Sequence, residues 1–365
     1  MNKIGILTLP LHNNYGGLLQ AFALQKYLNG NGYEAVLIDR QWNSSAKDNM
    51  KSFIKKLLFK NRINSQKKIE EHTSYFINKY IPKTKVLDSE RKLLKLINSL
   101  HLDAVVVGSD QVWRLEYTKK FSMNFFFDFL SNNSKIKKLS YAASFGEDTW
   151  NHDRDVTNKV SDLLSKFTAI SVRENSSVNL CKTNFNVTVQ HHIDPTMLLK
   201  IDDYKRLIKA ENEPEIQGDV LIYMLDINQD RQKTIDAVCS SVKGIPFSVN
   251  VKSINPKDAL QDRIYPSVTS WLKGFQDTKF VVTDSFHGSV FAILFNKPFI
   301  AYGNVGRGLS RFKSLFEMFD LEHRFILKHD DLDLNLLKEK IDWHKINTKL
   351  QNYRSLTEKY FKNNI

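Results

Sequence analysis

Lys279-Phe-Val-Val-Thr283, Asp284-Ser285-Phe286-His287-Gly288 and Ser289-Val-Phe-Ala-Ile-Leu-Phe-Asn-Lys-Pro298-Phe-Ile-Ala-Tyr302 follow one another without a break, and their order decides the fold. The first run is short and β-branched, as in a buried strand. The run after Gly288 is apolar on all sides, which suits a helix buried on most of its surface. Asn296-Lys297-Pro298 stops that helix, and Phe299 to Tyr302 supplies the next strand. The stretch is therefore one βαβ unit. Its strand-to-helix turn carries Asp284, Ser285 and His287, at the end of a parallel strand where ligands of open α/β sheets sit. A helix N-terminus there offers N–H groups and partial positive charge to an anion, with Ser285 and Gly288 beside it. His287 can exchange a proton near neutral pH at such a place. The plainer alternative is a capping Ser or Asp next to a hydrogen-bonded structural His.

Similar units lie on either side. Lys3 to Leu9 reads as a strand and Leu18 to Leu28 as a helix, joined by His12-Asn13-Asn14-Tyr15-Gly16-Gly17. Paired glycines let backbone N–H groups come close to a ligand, so Asn14, Gly16 and Gly17 form either a binding loop or a plain tight turn. Asp103 to Val107 is a strand ending in Gly108-Ser109-Asp110-Gln111-Val112-Trp113. Asp110 is a candidate base or hydroxyl anchor, or else a cap. Trp113 offers a flat platform to a sugar face, or packs in the core. Ala169 to Val172 ends in Arg173-Glu174, where Arg173 either clamps an anion bidentately or pairs with an acid. After Tyr302, a glycine-rich basic turn carries Arg307 and Arg311 where an anion would be held. His191, His192 and Asp194 match no zinc spacing, and no metal is expected. Leu332 to Ile341 and Leu350 to Phe361 read as charged amphipathic helices. The polar run Lys209 to Gly218 divides the alternating pattern. The expected architecture is α/β, with two doubly wound Rossmann-like domains facing a cleft: residues 1–210, residues 211–345, and a closing helix at 346–365.

A chain of 365 residues with 42% hydrophobic and 25% charged residues is that of a globular protein with more than one core. No apolar run is long enough to span a membrane, and the N-terminus reads as a strand rather than a leader. Two cysteines exclude a disulfide framework and point to a reducing, cytoplasmic setting. The net charge of +13 suits anionic substrates, nucleic acid or an acidic membrane. Nucleic acid is the weakest of these, since no recognised binding motif is present. The basic stretch Lys47 to Lys68, interleaved with Phe53, Ile54, Leu57, Leu58 and Phe59, reads as a solvated cationic face. Its alternative is a peripheral contact with the inner face of a membrane.

In these motifs the chain resembles the polysaccharide pyruvyl transferase family. The landmarks are Asn14-Tyr15-Gly16-Gly17, Asp103 to Trp113, Ser140-Tyr-Ala-Ala-Ser-Phe-Gly146, Ile170-Ser-Val-Arg-Glu174, Asp194-Pro195 and Thr283 to Gly288, in the family's order. The resemblance implies a fold similar to the B-type glycosyltransferases and transfer of the enolpyruvyl unit of phosphoenolpyruvate to a saccharide acceptor. It implies no cofactor. His287 matches the family histidine, and Arg173 an arginine expected at the donor. Ser285 stands where many members carry another arginine, leaving Arg307 or Arg311 to replace it. On this reading His287 and Asp110 are catalytic. Arg173, Ser285, Gly288, Arg307 and Arg311 bind the donor, and Asn14, Gly16, Gly17 and Trp113 bind the acceptor. The surplus positive charge suits a doubly charged donor and a lipid-phosphate-linked acceptor. The rivals are a nucleotide-sugar-dependent glycosyltransferase and a non-catalytic saccharide- or anion-binding member.

Overall fold

The long strands have four or five residues, most of them apolar runs, and each is parallel to its neighbours. A computed structural model describes residues 1–41, 60–131 and 134–365, apart from the side chains of 60–64 and Arg307. Most of the Lys47 to Lys68 stretch lies outside the described residues. In the first half, β1 (Lys3–Leu7), β2 (Glu34–Leu37), β3 (Ala104–Val107) and β4 (Lys137–Ser140) form a sheet in the order β2-β1-β3-β4. The short strands β5 (Ser171–Val172) and β6 (Gln190–His191) pair with each other, and single bridges at Leu139–Ala169 and Ala143–Val172 attach them beside β4. In the second half, β7 (Val220–Tyr223), β8 (Pro246–Phe247), β9 (Phe280–Thr283), β10 (Phe299–Tyr302) and β11 (Phe325–Ile326) lie in the order β11-β10-β9-β7-β8. Counted within its own half, each sheet runs 2-1-3-4-5, the doubly wound order in which ligands sit where the strand order reverses. Those reversals fall between β1 and β3 and between β7 and β9. The Gly108 to Trp113 and Asp284 to Gly288 turns are thus both at switch points.

One apolar cluster runs through both halves. Tyr15 stacks on Trp271 at 5.6 Å, and Tyr204 meets Phe291 edge-on at 5.0 Å. The last helix, Trp343–Asn364, returns to the first half. Tyr360 donates to the Ser140 carbonyl at 2.7 Å, Arg354 Nε to the Met197 carbonyl at 2.8 Å, and Thr357 meets the Tyr141 hydroxyl at 3.0 Å. No helix among the described residues is long and apolar enough to cross a membrane.

Leu332 to Ile341 is a series of turns rather than the expected helix. The fully buried Arg324 accounts for this. It donates from Nη1 to the Leu336 carbonyl at 2.7 Å and from Nη2 to the Glu339 carbonyl at 3.2 Å. The Leu336 carbonyl also takes the Glu339 N–H at 3.2 Å as a tight turn, so these carbonyls are engaged without a continuous helix. Helices Asn175–Phe185 and Ile201–Ala210 are present although the sequence reading passed over them. The first is rich in Asn and Ser, which compete with the backbone for hydrogen bonds and lower helix propensity. It forms because Leu180, Cys181 and Phe185 are buried.

Candidate active site

His287 is in the first turn of helix Phe286–Leu294, directly after β9. The chain turns there because Thr283 accepts the Ser285 N–H through its hydroxyl at 3.1 Å and Ser285 caps the new helix. The residue is only 6% exposed, and its ring stands against Gly16 of the first half. A Cβ on Gly16 would lie 2.0 Å from His287 Nδ1, so only glycine admits the ring at this distance. Nε2 has no hydrogen-bond partner. It faces Asp194 Oδ2 at 3.5 Å, an ion-pair separation longer than a hydrogen bond.

Asp194 follows β6 and carries a second cation. Arg173, at the end of β5, donates from Nη1 to Asp194 Oδ2 at 2.9 Å. Its Nε is 3.4 Å from Glu174 Oε1 and its Nη2 3.6 Å from Asp110 Oδ1. Burial opposes the guanidinium's charge, but Glu174, Asp194 and Asp110 outweigh it and raise the pKa of Arg173. Burial likewise works against the Asp194 carboxylate. His287, Arg173 and the Thr196 N–H prevail, holding Asp194 well below the usual carboxylate range. Arg173 Nη2 has no hydrogen-bond partner. Its guanidinium lies 4.6 Å from the Phe286 ring centre, and that of Arg311 lies 5.7 Å from the same centre. Burial, and then the charge of Arg173, push the pKa of Arg311 down to about 10. Two arginines, a histidine and three carboxylates from both halves thus share one enclosed boundary.

A model of the polysaccharide pyruvyl transferase family matches residues 14–305. The chain belongs to that family. It is a family of transferases, and membership implies a saccharide acceptor. A search of curated protein sequences found no match. Among solved structures, the chain is similar to UDP-N-acetylglucosamine 2-epimerase from Rickettsia bellii, with 11% identity over 99% of this chain and 95% of that one, at a TM-score of 0.55. The UDP-GlcNAc 2-epimerase from Neisseria meningitidis, solved bound to UDP-GlcNAc, shows 12% identity over 97% and 93% of the two chains, at 0.50. These likenesses concern the fold, which is that of two Rossmann-like domains in the manner of the B-type glycosyltransferases.

In this pyruvyl transferase family member the remaining candidates divide by what already occupies their polar atoms. Ser285 accepts the Gly288 N–H through its hydroxyl at 3.4 Å, so both are engaged in capping the helix. Gly288 is needed for packing as well, since a Cβ there would lie 2.2 Å from Thr283 Oγ1. Asn14 accepts the Gly17 N–H at 3.2 Å and caps the first turn of helix Tyr15–Gly30. Asp110 accepts the Gln111 N–H at 2.9 Å and faces Arg173 Nη2 at 3.6 Å. Arg307 closes the short turn Val305–Arg307, and its side chain lies outside the described residues.

Trp113 corrects the platform reading, because it is fully buried. Its Nε1 donates to the Phe125 carbonyl at 2.9 Å and its ring stacks on Phe126 at 5.4 Å. Trp113→Phe should therefore cost about 2 kcal/mol of stability, from the lost hydrogen bond and volume, and leave the acceptor KM unchanged. Urea unfolding and acceptor titration check the two halves of that statement. Gly16→Ala should act the other way. With His287 as the catalytic residue expected from the sequence, displacing it about 1 Å should lower turnover roughly 100-fold, which steady-state kinetics beside a thermal melt would show.

The sequence reading named Glu174 as an ion-pair partner of Arg173, weighed Asp194 as a metal ligand and gave Phe286 no role. In the structure Asp194 and Glu174 are buried counter-ions of Arg173, and Phe286 presents its ring to both guanidiniums. Asp284 accepts the Leu225 and Asp226 N–H groups at 2.7 and 3.2 Å and faces Arg231 at 3.4 Å. It ties the β7 and β9 loops together. His191 and His192 are engaged singly, with the Arg173 carbonyl at 2.9 Å and the Ser171 hydroxyl at 3.0 Å.

Proposed function

We propose that the protein moves the enolpyruvyl group of phosphoenolpyruvate onto a saccharide and forms a cyclic pyruvate ketal across two hydroxyls. The observation that carries this reading is a pair of buried polar atoms, Arg173 Nη2 and His287 Nε2, that meet carboxylates only at ion-pair distances of 3.6 and 3.5 Å and make no hydrogen bond, in one boundary with Arg311. Such atoms are costly to bury unless a ligand completes them. A small donor with a carboxylate and a phosphate supplies acceptors for both arginines.

The reaction begins with a proton added to the donor's methylene carbon, so that positive charge develops at the adjacent carbon. One sugar hydroxyl attacks that carbon and gives up its proton. The carbon–oxygen bond to phosphate then breaks, and a second hydroxyl closes the ketal with loss of its own proton. His287, fixed by Gly16 and Phe286, is the group placed to move the first proton. Arg173 and Arg311 hold the donor's anionic groups as phosphate leaves. Arg311 takes the part of the arginine absent at Ser285. On this reading Arg311→Ala weakens phosphoenolpyruvate binding about 10- to 100-fold in a calorimetric titration, the size of a hydrogen bond to a charged group. Unchanged affinity would exclude Arg311 as a donor ligand. The setting we assign is cell-surface polysaccharide assembly at the cytoplasmic side of a membrane. The net charge of +13 supports an anionic donor and a lipid-phosphate-linked acceptor there.

A further inference from the structure

A cavity of about 540 Å³ opens between helices Asn175–Phe185 and Ser310–Phe319, one from each half. Positions 175, 178, 179 and 182 of the first helix line it, as do positions 310, 313, 314 and 317 of the second. That spacing is the inward stripe of a helix, which is ordinarily apolar where two helices meet. Here it consists of Asn, Ser, Lys and Glu with one Val. The helices touch through a polar bond, the Asn175 N–H donating to Ser314 Oγ at 2.8 Å.

The chemistry of the lining is uneven. Helix Ser310–Phe319 has no acid in its first turn and no side chain capping its N-terminus, so its partial positive charge is uncompensated at the cavity wall. Ser310, in that first turn, is 3% exposed, and its hydroxyl has no hydrogen-bond partner. The Ser176 hydroxyl, in the first turn of the other helix, is likewise buried without one. Lys182 and Lys313 are exposed along the rim and offset Asp148 and Glu317. Two buried hydroxyls without partners, two ammonium groups, two carboxylates and a helix N-terminus without a side-chain cap belong to the residues around this one space, and the donors among them suit a tetrahedral oxyanion.

We infer that this cavity is a phosphate subsite distinct from the His287 boundary, taking either free phosphate or the phosphate ester of a sugar. Asp148 and Glu317 would accept hydroxyls of the sugar in the second case. The inference goes beyond pyruvyl transfer and stands or falls separately from it, because its readout needs no turnover.

The test uses the full-length protein. Crystals soaked in tungstate, a phosphate mimic, should show an anomalous peak within hydrogen-bonding reach of Ser310 Oγ. A peak only beside Arg173 and Arg311, or no peak, overturns the proposal. In solution, inorganic phosphate and glucose 1-phosphate are titrated into the wild type and the Lys182→Gln/Lys313→Gln variant. Both lysines are exposed, so the variant keeps its fold. One binding step should weaken at least tenfold in the variant, and unchanged affinity for both probes overturns the site. Tighter wild-type binding of glucose 1-phosphate assigns the subsite to a phosphorylated sugar, and equal binding assigns it to free phosphate.

Discussion

His287→Ala should lower pyruvyl-transfer turnover by ~10²–10⁴-fold, the usual loss when a positioned acid or base is removed. Phosphoenolpyruvate binding should change far less, since Arg173 and Arg311 remain to hold the anion. The split between kcat and KM is therefore the diagnostic. A purely structural histidine would show the reverse, with falling stability and near-normal turnover in the folded fraction. His287→Gln guards against a folding artefact, because it fills most of the same space and keeps a polar group toward Asp194 at 3.5 Å. Phosphate release with an acceptor present, measured beside a thermal melt, separates these outcomes.

Arg173→Met should destabilise the protein by about 3–5 kcal/mol at neutral pH, the scale for removing one partner of a buried ion pair. The substitution keeps volume but leaves Asp194, Glu174 and Asp110, all buried, without their shared counter-ion. The pH dependence follows from the depressed pKa of Asp194. A carboxylate whose folded pKa lies below its unfolded value of about 3.9 binds protons more readily in the unfolded state. Its stabilisation is present above that value and is lost as pH falls through the folded pKa. His287 is the larger cause of that depression and Arg173 the next, so Arg173→Met removes the arginine's part of it, and the gap between variant and wild type should be widest near pH 7 and narrow below about pH 4. Urea unfolding at both pH values checks the sign and the size.

The βαβ unit from Lys279 to Tyr302 was legible because strand, turn and helix each carry a local signal: β-branched residues, a Ser cap and a Pro stop. The position of His287 at a switch point followed from that order alone. Its relation to Gly16 did not. The glycine pair signals a close approach but not what approaches, and the ring comes from 271 residues further along the chain. Asp194 and Arg173 were visible as landmarks beside a Pro and a Glu, yet their pairing with His287 has no periodicity to reveal it. Trp113 shows the opposite case. An indole at a strand end looks the same in sequence whether it meets a sugar or Phe126, and burial alone decides. The 332–341 segment has helical amphipathicity, and a buried arginine from outside it claims its carbonyls.

Thermal unfolding of the full-length protein, with phosphoenolpyruvate and separately with UDP-N-acetylglucosamine, tests the central assignment most directly. A ligand at ~100 times its Kd stabilises the folded state by about 2.7 kcal/mol. The account predicts a rise in Tm with phosphoenolpyruvate that shrinks in Arg311→Ala and persists in His287→Ala. A rise with the nucleotide sugar and none with phosphoenolpyruvate would contradict it.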